Sequence, residues 1–185
     1  MCNIPNILTI VRLLLVPVIG LALVEQAYRI ALALFLVAAL TDLADGYIAR
    51  RFGLVSRLGA TLDPIADKLN MLVATVLLAW QDLLPLPLAI AIVARDAVIV
   101  TGALAYRAAV GNVQIAPTFL SKLNTFLEFG LLLLVMARAA GWLQGTWLPV
   151  LYAIVFLTVA ASGVQYVWLW GRKAIAERRH RSPRP

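Results

Sequence analysis

The sequence predicts an all-α, polytopic membrane protein with six transmembrane helices, and three observations predict it. Apolar residues fill 63% of the 185 positions and the mean hydropathy is +0.92, whereas a soluble domain of this length needs far more polar surface. Apolar runs near the roughly 20 residues needed to span a bilayer recur along the whole chain. The cationic residues between those runs alternate in density. With the N-terminus inside, Arg50, Arg51, Arg57, Arg107, Lys122, Arg172, Lys173, Arg178, Arg179, Arg181 and Arg184 fall on one side, and only Arg29 and Arg138 on the other. Such an imbalance puts the Arg-rich loops and both termini in the cytoplasm.

The expected spans are residues 4–24, 29–50, 58–80, 85–106, 118–138 and 147–170. The connections are short and no repeat is visible, so a single membrane domain is expected over 1–171, followed by a basic cytoplasmic tail over 172–185 whose charge and prolines suggest disorder. The N-terminus lacks a basic n-region and a small-residue cleavage site, so the first span is expected to be retained. Cys2 is the only cysteine, which excludes an internal disulfide, and His180 is the only histidine, in the basic tail, where a solvated role is expected. The net charge of +7 arises largely in that tail. It reads as topology plus attraction to anionic lipid rather than nucleic-acid binding.

The second and third spans carry the chemistry. Asp42-x-x-Asp45-Gly46-x-x-Ala49-Arg50 is followed, after eight residues, by Gly59-x-x-x-Asp63-x-x-x-Asp67. A carboxylate at the centre of a membrane helix costs roughly 2.5–3.5 kcal/mol, so four of them require compensation. Asp42 and Asp45 are i,i+3 and Asp63 and Asp67 are i,i+4, so each pair shares a helix face. Two such faces set opposite each other would make an all-oxygen cage for two hard divalent cations, Mg²⁺ or Mn²⁺. Gly46 and Gly59 suit either close approach of a ligand or close packing of helices; their register with the aspartates favours the ligand. Gly53 breaks the second helix, and Ser56 suits an N-cap of the third, a role compatible with ligand contact. Pro64, between two of the carboxylates, deprives an earlier carbonyl of its helical partner and distorts the helix there.

Other polar residues mark a further pocket: Arg12, Lys68, Arg95, Asp96, Lys122, Asn124 and Glu128. Charges at membrane depth usually face a bundle interior or a cavity. Arg95 and Asp96 also suit a structural ion pair, and Arg12 and Lys122 could snorkel. In the sixth span Trp168 and Trp170 suit interfacial anchoring.

The aspartate pattern resembles the signature of the CDP-alcohol phosphatidyltransferase family at every defined position. The resemblance implies a six-helix membrane enzyme, usually a homodimer, in the bacterial inner membrane with its active site facing the cytoplasm. It implies that a phosphatidyl group passes from a CDP-linked lipid to an alcohol with release of CMP. It further implies that Asp42, Asp45, Asp63 and Asp67 hold two divalent metals, that Asp67 is also the catalytic proton acceptor, and that Gly46, Ala49, Arg50, Ser56 and Gly59, with Asn6 and Thr9 of the opening stretch, bind the CDP-lipid.

Within that family the stretches Ile4–Arg12, Leu83–Leu88, Arg95-Asp96, Pro117–Thr125 and Gly171–Lys173 are similar to the CMP-forming cardiolipin synthases. The substrates so implied are CDP-diacylglycerol and phosphatidylglycerol, with Arg12, Arg95, Asp96, Lys122 and Asn124 binding the acceptor. The related phosphatidylglycerophosphate synthases tend to have a second Lys where this chain has Asn124; that cation would suit glycerol 3-phosphate, the alternative acceptor. Glu128 stands where the family commonly has Gln, and a carboxylate there disfavours a nearby anion unless it is protonated or paired. A different class, an ion-coupled transporter, would also use intramembrane carboxylates. It would not need the Gly, Ala and Arg in register with them, and its carboxylates should spread across the membrane.

Overall fold

The structure is a computed structural model. It describes the backbone of residues 4–52, 57–110 and 118–181, and the side chains of 10–42, 65–102, 118–169 and 172. Six helices follow in order: α1 (Ile4–Val24), α2 (Tyr28–Phe52), α3 (Arg57–Trp80), α4 (Leu86–Val110), α5 (Phe119–Ala139) and α6 (Leu148–Arg181). No strand occurs among the described residues, as expected of an all-α chain. Among them, two segments, Phe119–Ala139 and Leu148–Leu169, are long and apolar enough to cross a membrane; Ile10–Val24 is a shorter apolar helix.

One expectation changes. The tail from Arg172 was expected to be disordered, but α6 continues to Arg181. Hydropathy ends a membrane span where charges begin, yet a helix needs no apolar residues. Arg172-Lys-Ala-Ile-Ala-Glu-Arg-Arg consists mostly of good helix formers. Pro183 is the first residue after that point that cannot continue a helix.

The chain divides into two compact units, Met1–Leu86 with Phe129–Leu148, and Pro87–Glu128 with Pro149–Pro185. In the first unit α1 packs against both α2 and α3. Ile19 and Leu23 of α1, Leu32 and Phe35 of α2, Met71 and Leu78 of α3, and Leu131 and Met136 of α5 are buried in its core. Gly20 allows α1 and α3 to approach: a Cβ there would lie 3.3 Å from Val73 Cγ1. The rings of Phe35 and Phe129 stack at 5.2 Å between centroids.

Three helices of this unit end the same way. Ala27 N–H bonds Ala22 O, Leu83 N–H bonds Leu78 O, and Trp142 N–H bonds Ala137 O, at 2.8, 3.0 and 2.9 Å. The residue before each donor, Gln26, Asp82 or Gly141, has positive φ. These are Schellman closures, which satisfy carbonyls that the helix itself leaves orphaned. Side chains then tie the ends together. Gln81 donates to Leu23 O at 2.5 Å and accepts from the Tyr28 hydroxyl at 2.8 Å, while Arg29 donates to Ala140 O.

The second unit starts its helices conventionally. Pro87 and Pro149 lie in first turns, where their missing N–H removes no helical bond. Thr118 N-caps α5, its hydroxyl oxygen accepting from Ser121 N–H at 3.2 Å.

Both units expose large apolar side chains, among them Leu14, Leu21, Leu40, Trp80, Leu157 and Val164. So many exposed large apolar side chains suit a lipid environment.

Candidate active site

The aspartates reach the site through helix packing. α2 carries Asp42, Asp45, Gly46, Ala49 and Arg50; α3 carries Gly59, Asp63 and Asp67; α1, which packs on both, carries Asn6, Thr9 and Arg12. Of these, Arg12, Asp42 and Asp67 have described side chains. Those of Asn6, Thr9, Asp45, Gly46, Ala49, Arg50, Gly59 and Asp63 lie outside the described residues, as does Ser56 altogether.

Arg12 is the centre of what is described. It is 1% exposed, and its Nη1 lies 2.6 Å from Asp42 Oδ1. The Asp42 side chain is 43% exposed. One carboxylate edge is therefore anchored from below by a buried guanidinium while the residue keeps an open side. Arg12 also lines a small cavity of about 10 Å³ with Phe35, Ala38, Ala39, Asp67, Asn70, Met71 and Phe129. A cation on α1 is thus shared between the Asp42 region of α2 and the Asp67 region of α3. Sequence reasoning assigned Arg12 to acceptor binding; the structure brings it to the aspartates.

Asn70 was missed. It is 5% exposed, and its Oδ1 has no hydrogen-bond partner. The signal was available, because Asn70 continues the Asp63, Asp67 series as i, i+4, i+7 on α3.

The remaining predicted residues fall in the second unit. Arg95 is 4% exposed, and each of its three nitrogens is engaged. Nη1 meets Asp96 Oδ1 at 2.7 Å, Nη2 donates to Ser121 Oγ at 2.7 Å and Ser162 Oγ at 3.1 Å, and Nε donates to Ser162 Oγ at 3.3 Å. Arg95 thereby links α4 to α5 and α6. Asn124 is fully buried: its amide donates to Glu128 Oε1 at 2.6 Å, and its carbonyl accepts from the Thr158 hydroxyl at 3.0 Å. Glu128, at 1% exposure, stands in this network. Lys122 is exposed. Thr158 and Ser162, spaced i,i+4 on α6, were not anticipated, because hydroxyls are common in membrane helices and carry no signal alone.

Among the described residues no three carboxylate, histidine or cysteine side chains gather around one point. Asp42 and Asp67 are the two members of the aspartate set whose side chains are described. The donor set is nonetheless chemically coherent, with four carboxylates at i,i+3 and i,i+4 on two helices that both pack on α1. Hard oxygen donors of this kind suit Mg²⁺ or Mn²⁺.

Comparison with known proteins bears on what such a site does. The profile of the CDP-alcohol phosphatidyltransferase family matches residues 2–171. The chain is 35% identical to a human protein named cardiolipin synthase (CMP-forming), over 94% of this chain and 63% of that protein. It is also 35% identical to a Drosophila melanogaster protein named probable cardiolipin synthase (CMP-forming), over 89% of this chain and 56% of that protein. It is 36% identical to a Rickettsia typhi protein named CDP-diacylglycerol–glycerol-3-phosphate 3-phosphatidyltransferase, over 86% of this chain and 92% of that protein. The chain thus spans less than two thirds of the length of the human and fly relatives.

Proposed function

Because the chain belongs to the CDP-alcohol phosphatidyltransferase family, a family of membrane-associated transferases, we propose that it transfers phosphatidyl from CDP-diacylglycerol to phosphatidylglycerol, forming cardiolipin and releasing CMP. The observation that carries this reading is the 35% identity to the human cardiolipin synthase across 94% of this chain. The state of Asn124 supports it. Where a phosphomonoester acceptor would favour a second cation, this chain has a neutral amide, fully buried and held by Glu128 and Thr158. Phosphatidylglycerol carries about one charge on its phosphodiester, against nearly two for a phosphomonoester near neutral pH.

In this proposal Asp42, Asp45, Asp63 and Asp67 hold two divalent ions, Mg²⁺ or Mn²⁺. When bound, such ions neutralise the pyrophosphate and stabilise the departing CMP. Arg12 fixes one edge of Asp42 through their ion pair and leaves its open side for ligand. Arg50 supplies a fixed cation for phosphate oxygens. Asn6, Thr9, Gly46, Ala49, Ser56 and Gly59 complete the CDP-lipid pocket. The acceptor hydroxyl oxygen attacks the phosphatidyl phosphorus as the bond from that phosphorus to the CMP oxygen breaks. Asp67 takes the hydroxyl proton. No Ser or Cys stands on the aspartate stripe, so the displacement is direct. Of the other acceptor-binding candidates, Lys122 is exposed, and Arg95 is committed to Asp96, Ser121 and Ser162.

The membrane arrangement that goes with this chemistry is six transmembrane helices over 1–171. Both termini and the active site face the cytoplasm of a bacterial inner membrane, and the enzyme is a homodimer. The second reading, phosphatidylglycerophosphate synthesis from glycerol 3-phosphate, is favoured by the Rickettsia relative, whose own length is 92% covered. Purified protein given labelled CDP-diacylglycerol with both acceptors together separates the two. Cardiolipin as the main product supports the proposal. Phosphatidylglycerophosphate as the main product overturns the acceptor, and absence of CMP release overturns the transferase.

A further inference from the structure

We propose that Asn70 reads the second hydroxyl of the acceptor's glycerol head, the one that does not attack. The inference deepens the reading above and rests on it for the identity of the acceptor. Asn70 lines the same cavity as Asp67, three residues away on α3. Its amide is 5% exposed, and its carbonyl oxygen has no hydrogen-bond partner. Buried polar groups are almost always paired, and leaving one unpaired destabilises the free protein. An orphaned acceptor atom calls for a donor supplied from outside the chain.

The size of the space decides which donor. A volume of about 10 Å³ is near the lower limit for one water-sized group. A phosphate or a hydrated cation does not fit, but a single hydroxyl does. Phe35, Met71 and Phe129 line the same space beside the polar Arg12, Asp67 and Asn70, so it suits one small polar group. Glycerol heads carry two neighbouring hydroxyls. With one presented to Asp67 for deprotonation, the other can donate to Asn70 Oδ1 one helical turn further along α3. The pair of residues would then hold the head at two points, fixing which oxygen faces phosphorus. In this role Asn70 is a positioning residue that selects vicinal diols.

The test compares each acceptor with its analogue lacking the secondary hydroxyl: phosphatidylglycerol against phosphatidyl-1,3-propanediol, and glycerol 3-phosphate against 3-hydroxypropyl phosphate. The ratio of kcat/KM values within one preparation cancels the amount of folded enzyme. Wild-type protein should prefer the diol of its working pair by about tenfold or more, the scale of one buried hydrogen bond. Asn70→Leu and Asn70→Ala should bring that ratio to about one, with most of the loss on the diol. Equal loss on diol and analogue would assign Asn70 to packing or to an ordered water and overturn the proposal. Absence of discrimination by wild type would overturn it as well. Failure of the cardiolipin reading shows separately, as activity confined to the glycerol 3-phosphate pair, in which the same ratio still reads Asn70.

Discussion

Replacing Arg95 by Met should weaken the fold before it weakens recognition of the acceptor. The Arg95 side chain is 3% exposed and that of Asp96 23% exposed, with 2.7 Å between them. Removing the guanidinium takes from a mostly buried carboxylate its contact with Arg95 at 2.7 Å. Breaking a buried pair from one side costs about 3–5 kcal/mol, and the partial exposure of Asp96 favours the lower end. The contacts to Ser121 on α5 and Ser162 on α6 are also lost. Interhelical polar contacts in membranes average about 0.6 kcal/mol each, so two add roughly 1 kcal/mol. The sum is about 4 kcal/mol. At about 2–4 °C per kcal/mol for a chain of this size, the melting temperature should fall by roughly 8–16 °C. The assay is thermal unfolding of purified protein in detergent, followed by tryptophan fluorescence. The double variant Arg95→Met with Asp96→Leu should recover much of the loss, because the carboxylate that loses Arg95 is gone as well. An unchanged melting temperature with a raised KM for phosphatidylglycerol alone would refute the reasoning and make Arg95 a direct acceptor ligand.

Chelation should abolish CMP release and added Mg²⁺ or Mn²⁺ should restore it, with full turnover after chelation counting against the aspartate cage. Asp67→Asn should lower kcat by at least about 10²-fold, the low end for a general base, while CDP-lipid binding, read by equilibrium titration, suffers less; near-normal turnover would exclude Asp67 as the base. Arg12→Met should raise the metal concentration needed for half activity, since Asp42 loses the partner that orients it; an unaltered metal titration would show that the ion pair is dispensable. Single cysteines between α2 and α3 and after Arg181, in a Cys2→Ser background, should be labelled from the cytoplasmic face, and strong labelling from the opposite face would invert the topology.

Much of the architecture was legible because long apolar runs announce helices by length and period. Five of the six helices fall within a few residues of their expected limits; the exception is α6, whose course beyond residue 170 hydropathy has no means to see. The spacing of the aspartates put Asp42 and Asp67 on faces of α2 and α3, and both lie beside Arg12 of α1. That neighbour was not legible. Arg12 could be recognised as costly to bury, but its partner lies on another helix, and pairing across helices is a tertiary fact. The same holds for Arg95, whose neighbour Asp96 is adjacent in sequence while Ser121 and Ser162 are 26 and 67 residues away. Asn70 differs, because its place on the α3 stripe was there to be read. Only burial and the empty acceptor atom distinguish it from an ordinary packing residue.

The three matched helix ends of the first unit have a practical consequence. Their closure comes from main-chain bonds, so the turns do not depend on particular side chains. Yet Gln26 and Asp82 hold a left-handed conformation that costs an L-residue roughly 1–2 kcal/mol. Nature has left slack there, in two turns that themselves hold none of the proposed chemistry. Gly or Asn at positions 26 and 82 would release part of it. For a protein purified in detergent, these two turns are where a sturdier version can be made while the aspartate stripe stays as it is.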